Sequence, residues 1–263
     1  MQHSYLDFAG SLGLQEHDTV FIASDISQMA KETRANGESF NADLFIESFQ
    51  KVLSNGTLIV PAFTDNLKDG DTFDRKNSKP TTGALSNKVM RRKDFRRTAD
   101  PLHSVLVWGR LADGILALED ISTFGPQSIF GFLHEVKAKM IIIDVDLQNS
   151  FTFVHYVEER LQVKYRHPYR WKMHVLDAEN RTTRNVVFHT KRPGILNDLY
   201  NLQDTLQQNG TIRVIAFGNA EIQMLEFDRA YDAIVKYMAE GGKLYKFSMK
   251  TFIKTKIKKL IGR

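Results

Sequence analysis

The chain has 263 residues, 42% hydrophobic and 25% charged, the balance of a soluble globular protein with room for a large core. It has no cysteine, which excludes a disulfide framework, a thiolate nucleophile, iron–sulfur clusters and cysteine-rich zinc sites, and fits a reducing compartment. The net charge of +5 is uneven: residues 241–263 hold eight Lys and Arg and no acid, so the body carries 28 basic against 31 acidic residues and does not look like a nucleic-acid-binding fold.

The first residues, "MQHSYLDFAGSLGLQEHD", lack a basic region followed by an apolar one, so no signal peptide is expected. No apolar run reaches the roughly 18–20 residues of a membrane span, and a cytoplasmic location follows as the expectation. "TVFIASDI" (19–26) predicts a buried strand, and "ADLFIESFQKVLSN" (42–55) has the apolar spacing of an amphipathic helix stopped by Asn55-Gly56. "GTLIVPAFT" (56–64) is a second strand. A long polar loop (64–83) follows, of a length that is usually functional or disordered. "ALSNKVMRRKD" predicts a helix, and "SVLVWG" (104–109) and "MIIIDVDL" (140–147) predict strands, each followed by a helical stretch. Residues 171–190 predict a hairpin turning over Asp177 to Thr183. "ILNDLYNLQDTLQQNG" predicts a helix, and residues 211–242 a strand, a turn and a helix. No repeat or linker cuts the chain, so residues 1–240 form one domain and 241–263 a basic tail. The alternation of strands and helices is that of an α/β layered sheet.

In such sheets ligands bind beyond the carboxyl ends of the strands. That directs attention to Ser24 and Asp25, Thr64 and Asp65, Asp144 to Thr152, and Gly218 to Glu221. The chain has no G-x-G-x-x-G, Walker, G-x-S-x-G or H-E-x-x-H motif. Asp144 and Asp146 form a D-x-D at a strand end, which suits the divalent cation of a glycosyltransferase but, being short and common by chance, better suits two turn caps. The stretch "NSFTFVHYVEER" predicts a helix capped at Asn149 or Ser150, with Thr152, His155 and Glu158 on one face. Glu158 is then placed to hold the imidazole tautomer, or His155 is a satisfied core residue. The basic run Lys88, Arg91, Arg92, Lys93, Arg96 and Arg97 is either a solvated face or a phosphate-binding patch.

Taken in order, "GTLIVPAFT", "FDRKNSKPTTGALSNKVMRRKD", "DPLHSVLVWG", "FGPQSIFGFL" and "MIIIDVDLQNSFTFVHYVEER" resemble the aminoglycoside 3-N-acetyltransferase, or antibiotic N-acetyltransferase, family over about residues 12–165. The resemblance implies an α/β/α sandwich around a mixed, largely parallel sheet, and acyl-CoA as co-substrate with no metal. It places the family's T-x-x-H-x-x-E on Thr152, His155 and Glu158, its H-P-x-H-S histidine on His103, and a CoA-side strand end on Ser24 and Asp25. Departures surround these positions: Asp100 and Ala23 stand where the family has histidines, and Asn87 where it commonly has an acid.

The implied reaction is direct attack of an amine on the thioester, with His155 as general base oriented by Glu158 and with Ser104 a candidate oxyanion donor. Arg91 and Arg92 are expected at the CoA phosphates, and Asp65, Asp74 and Thr82 at the acceptor. The slightly acidic body and the basic run point to an anionic acceptor, a nucleotide-linked (dTDP-type) 3-amino sugar for surface polysaccharide. An aminoglycoside is the alternative, and a metal-dependent glycosyltransferase using Asp144 and Asp146 a further one. The tail interleaves Phe247, Phe252, Ile253, Ile257, Leu260 and Ile261 with lysines, the pattern of a basic amphipathic helix that contacts the inner face of a membrane or of a solvated tail.

Overall fold

The structure, a computed structural model, describes the backbone of residues 5–260 and the side chains of residues 5–257. Ile261 and the side chain of Leu260 lie outside the described residues. The strands in chain order are β1 (Thr19–Ser24), β2 (Thr57–Pro61), β3 (Thr72–Asp74), β4 (Arg96–Arg97), β5 (Val105–Gly109), β6 (Lys139–Ile143), β7 (Arg166–Asp177), β8 (Asn180–Lys191), β9 (Ile195–Asn197), β10 (Arg213–Phe217), β11 (Ala220–Glu226) and β12 (Tyr245–Phe247).

Seven strands form the main sheet in the order β10-β11-β6-β1-β2-β5-β4. The central β6, β1 and β2 run parallel, while β5 and β4 on one flank and β11 and β10 on the other pair antiparallel. The middle strands are apolar at nearly every position because helices cover both faces. Successive side chains go to opposite layers: Phe21, Ile59, Met140 and Ile142 enter one core, and Val20, Ile22, Leu58, Val60, Ile141 and Ile143 the other. The helices Ile129–Glu135, Val154–Arg160, Tyr200–Gln208 and Phe227–Ala239 close the first core. Phe8–Ser11, Ala42–Val52 and Ala84–Val89 close the second. The result is the α/β/α sandwich around a mixed sheet. Asn41 caps the Ala42–Val52 helix, its side-chain oxygen accepting from Asp43 N at 2.9 Å and Leu44 N at 3.2 Å, worth about 1 kcal/mol. Gly109 has φ +106°, and a Cβ there would strike the Gly56 carbonyl, so the β2–β5 edge requires glycine.

Four local expectations change. The polar segment 64–83 contains β3, which pairs parallel with β7 because Phe73 is its one apolar anchor and is fully buried. The hairpin is longer and its turn tighter than expected: β7 and β8 pair from Arg166↔Lys191 to Asp177↔Asn180, leaving only Ala178 and Glu179 at the tip, with Ala178 at φ +54°. The segment from Ile195 opens with β9, held by β12, before the Tyr200–Gln208 helix begins. Residues 213–226 make two antiparallel strands around a glycine turn at Gly218.

The β7–β8 ribbon stands off the main sheet. Met173 and Val186 pack on Leu102, and Ser122 bridges to Val187, so the ribbon covers the turn that carries His103.

Candidate active site

The topology gathers the sequence candidates at one edge of the sheet. Ser24 and Ile143 are register partners at the carboxyl ends of β1 and β6. Because β5 and β11 are antiparallel to their neighbours, Val105 pairs with Pro61 and Ile222 with Ile143. Residues 103–104 and 218–221 therefore reach the same edge as residues 24–25, 62–65 and 144–152.

The chain leaves β6 through Asp144 and Asp146. Asp146, rather than Asn149 or Ser150, caps a short Leu147–Ser150 helix, its Oδ1 accepting from Asn149 N at 2.9 Å. The helix then breaks, because Phe151 and Phe153 both turn into the first core. A second helix starts at Val154, which places His155 in its first turn. Thr152 lies in the break, and its carbonyl accepts from His155 N at 3.0 Å.

Three groups converge on the Glu158 carboxylate, which is 1% exposed. His155 Nδ1 lies 2.7 Å and Arg166 Nε 2.6 Å from Oε2, and the Tyr165 hydroxyl donates to Oε1 at 2.8 Å. Arg166 Nη2 also lies 3.0 Å from Nδ1. With the carboxylate ionised, Nδ1–H donates to it at the shorter distance of 2.7 Å, which leaves Nε2 with its lone pair, the tautomer a general base needs. Burial pushes the Glu158 carboxyl upward, but the hydrogen bond and charge of His155, together with Arg166 and Tyr165, outweigh it and hold it below its ordinary value. His155 is also held below its ordinary value, chiefly by burial. Glu158 opposes that shift, while Arg166 and Lys191 add to it. The pair is thus a neutral imidazole beside an ionised carboxylate near pH 7. Arg166 is fixed in turn by the His189 carbonyl and the Asn197 side-chain oxygen, each at 2.9 Å.

His103 faces the same place. The Phe124 ring packs against both histidines, 4.7 Å from His103 and 5.4 Å from His155 between centroids. Phe63 and Phe130 complete an aromatic enclosure around His103. Burial, and to a lesser degree the charge of His155, brings His103 down to about 3, so it is neutral at working pH. Its loop is formed by Asp100, whose Oδ1 accepts from Leu102 N and His103 N at 2.8 and 2.7 Å. The aspartate at this departure position is therefore a turn cap.

The remaining candidates divide. Ser24 ends β1 against Gly83, and Asp25 Oδ1 caps Ser27 N at 2.8 Å. Ser104 is fully buried, donates to the Ala62 carbonyl at 2.7 Å and accepts from Arg97. Its hydroxyl is spent inside the protein and does not reach an oxyanion. Arg92 is occupied by Asp43, Glu47 and Asp94. Arg91 instead lines a surface groove with Lys88, Ile26, Phe40, Ala84 and Asp43, the last of which is paired with Arg92. Asp65 accepts from the Thr81 hydroxyl at 2.5 Å and lies near the edge, and Thr82 bonds the Pro61 carbonyl at 2.8 Å. Asp74 caps its own turn at Lys76 and Asn77, and β3 places it beside Leu176, ten residues along β7 from Arg166. It is not brought to the dyad. Asp144 Oδ1 accepts from Glu221 N at 2.9 Å. Both aspartates of the D-x-D thus bond backbone at turns, and among the described residues no group of three or more His, Cys, Asp or Glu is arranged to hold a metal.

The sequence did not point to Arg166, Tyr165 or Phe124. A carboxylate buried on an apolar helix face implies a cationic partner, but nothing local says that it comes from the first residue of the next strand.

The family model described as aminoglycoside 3-N-acetyltransferase matches residues 33–239. No curated protein matches the sequence. Among solved structures the chain resembles AAC-IIIb in binary complex with CoASH (17% identity, 91% of this chain and 96% of that one, TM-score 0.76). It also resembles the aminoglycoside acetyltransferase AAC(3)-Xa (17%, 90% and 91%, 0.75) and the YokD protein of Bacillus subtilis (17%, 89% and 97%, 0.72). Since the matched region spans most of the chain and contains the His155–Glu158 helix, the chain belongs to the aminoglycoside 3-N-acetyltransferase family, a family of acyl-CoA-dependent N-acetyltransferases.

Proposed function

We propose that the protein moves an acetyl group from acetyl-CoA to an amine of an aminoglycoside-type amino sugar, with His155 as general base. The observation that carries the proposal is the dyad itself: a neutral imidazole whose Nδ1 is committed to a buried carboxylate and whose Nε2 is left to take a proton. The acceptor ammonium must first lose a proton to water. The free amine then attacks the thioester carbonyl, and the second N–H proton passes to Nε2 as the N–C bond forms. The tetrahedral intermediate expels CoA thiolate, and His155 returns the proton to sulfur. A positioned base of this kind contributes about 10²–10⁴-fold.

For the donor, the groove at Lys88 and Arg91 opens on the second face, the histidines lie on the first, and Ser24 and Asp25 sit on the sheet edge between. An extended acyl-CoA crossing that edge has its phosphates at two cations and its thioester toward His155. Among the described residues neither cation is paired with an acid.

For the acceptor, the pairing of half the basic run weakens the case for an anion. Of the basic run, Arg92 is neutralised by three acids, Arg96 pairs with Asp113 at 2.7 Å, and Arg97 is buried on the carbonyls of Ala62 and Ser78. Lys88, Arg91 and Lys93 remain, and of these Lys88 and Arg91 line the donor groove. The strand-end edge meanwhile carries Asp25, Asp65, Asp144 and Glu221, which suits a polyamine. Relatives of the same fold are described in complex with apramycin, a gentamicin and sisomicin. A nucleotide-linked amino sugar lacks comparable support. Thiol release from acetyl-CoA with a panel of aminoglycosides and a dTDP-linked 3-amino sugar tests the choice. Release with aminoglycosides alone supports the proposal, and release with the nucleotide sugar alone overturns its acceptor.

A further inference from the structure

We propose that the outward face of the Met249–Leu260 helix is a binding surface for an anionic lipid bilayer. This rests on the helix and its surroundings and does not depend on the acylation reaction.

The helix is docked to the body and not free. β12 pairs with β9, Ser248 N donates to the Gly194 carbonyl at 2.8 Å, and the Phe252 ring packs on Phe247 with centroids 5.8 Å apart. Phe252 is part-buried against Phe247, and the spacing of four residues places Met249, Ile253 and Ile257 in one strip about 100° round the helix from it, where they are 60%, 49% and 48% exposed. Phe247, at the foot of the helix, is 55% exposed. Lys250, Lys254 and Lys256 flank this strip, and residues 241–263 contain no acid. Most of the helices pack their apolar stripe into the core, whereas this one carries its stripe into water between lysines.

The combination selects the occupant. In an interfacial helix the apolar side chains enter the acyl boundary and the lysine ammoniums stay among anionic headgroups. A nucleic acid would engage the lysines and leave the apolar strip in water. A second copy would cover the strip but bring two acid-free lysine helices together. Of these occupants, the anionic bilayer alone satisfies both features. At about fivefold per lysine near a negatively charged surface, the three flanking lysines contribute about a hundredfold in partitioning, screened by salt.

The test is co-sedimentation of the full chain with phosphatidylcholine vesicles, with and without a third of phosphatidylglycerol, at low and high salt. Two variants accompany it, I253E/I257E and K250E/K254E, each checked for unchanged melting temperature because all four side chains lie at the surface. The expected result is sedimentation only with the anionic vesicles, weakened by salt, and at least tenfold weaker for both variants. Protein that stays in the supernatant overturns the proposal. So does I253E/I257E binding as tightly as the parent, which would reduce the effect to charge alone. So does a parent dimer that I253E/I257E dissociates, which would make the strip an interface between copies.

Discussion

Replacing Arg166 with methionine isolates what the buried cation does for the dyad. Arg166 and Glu158 have side chains 6% and 1% exposed, so this pair is not a screened surface contact. Removing one partner of a buried pair costs about 3–5 kcal/mol. Glu158 keeps the Tyr165 hydroxyl and His155 as donors, while the His189 carbonyl and the Asn197 side chain lose theirs. The lower end, about 3 kcal/mol, is therefore expected, which for a chain of this size is a fall in Tm of about 6–12 °C. The second effect is on chemistry. The Arg166 charge helps hold His155 below its ordinary value, so its loss raises the folded His155 pKa. With His155 as the proposed base, protonation then removes activity at a higher pH. The acid limb of kcat/KM moves upward, with a larger loss of rate at pH 6 than at pH 8. Arg166→Lys keeps a charge near Nδ1 but loses the fork, so it should lose stability while its acid limb stays nearer the parent's. Differential scanning fluorimetry and a pH–rate profile by thiol release measure both. An unchanged Tm, or a destabilised variant whose acid limb is unmoved, would mean that Arg166 does not hold the dyad in this way.

Two further perturbations separate structural from functional groups. His103 lies at about 3 in the folded protein against 6.5 unfolded, so only the unfolded state takes up its proton as pH falls below 6.5. Its stabilising contribution is complete above that value and is lost toward pH 3 at about 1.4 kcal/mol per pH unit. Urea unfolding of His103→Asn between pH 7 and 4 should show a shallower acid loss by about one proton, and an identical slope would contradict the assignment. In the basic run, Arg91→Ala should raise KM for acetyl-CoA about tenfold through loss of a charge-assisted phosphate contact, while Arg92→Ala should lower Tm and leave that KM nearly unchanged. The reverse pattern would mean that the groove at Lys88 and Arg91 is not the donor site.

Much of the main sheet is legible in the sequence because β1, β2 and β6 are continuous apolar runs of strand length bounded by turns. The His155–Glu158 pair is legible for the same kind of reason: a spacing of three on a helix brings side chains together whatever the tertiary fold. What escapes is everything set by distant contact. β3 exists because β7 offers an edge, and three residues of which only Phe73 is apolar carry no periodicity that marks a strand. Asp146 displaces Asn149 and Ser150 as cap because two phenylalanines pull the chain out of helix after Ser150, a packing decision invisible to capping preferences. Ser104 reads as a catalytic hydroxyl beside His103, yet strand alternation turns it inward to Ala62 and Arg97. The basic run reads as one patch, but β4 begins within it, and strand, helix end and loop send its members to different partners.

The proposed mechanism has His155 remove the acceptor proton during acyl transfer. Steady-state thiol release by His155→Ala, at saturating acetyl-CoA and the best aminoglycoside acceptor, tests it most directly when paired with calorimetric binding of CoA to the same variant. The expected kcat is lower by about 10²–10⁴-fold with CoA affinity unchanged. A variant that turns over within a few-fold of the parent would contradict it and leave the dyad a structural feature of the core.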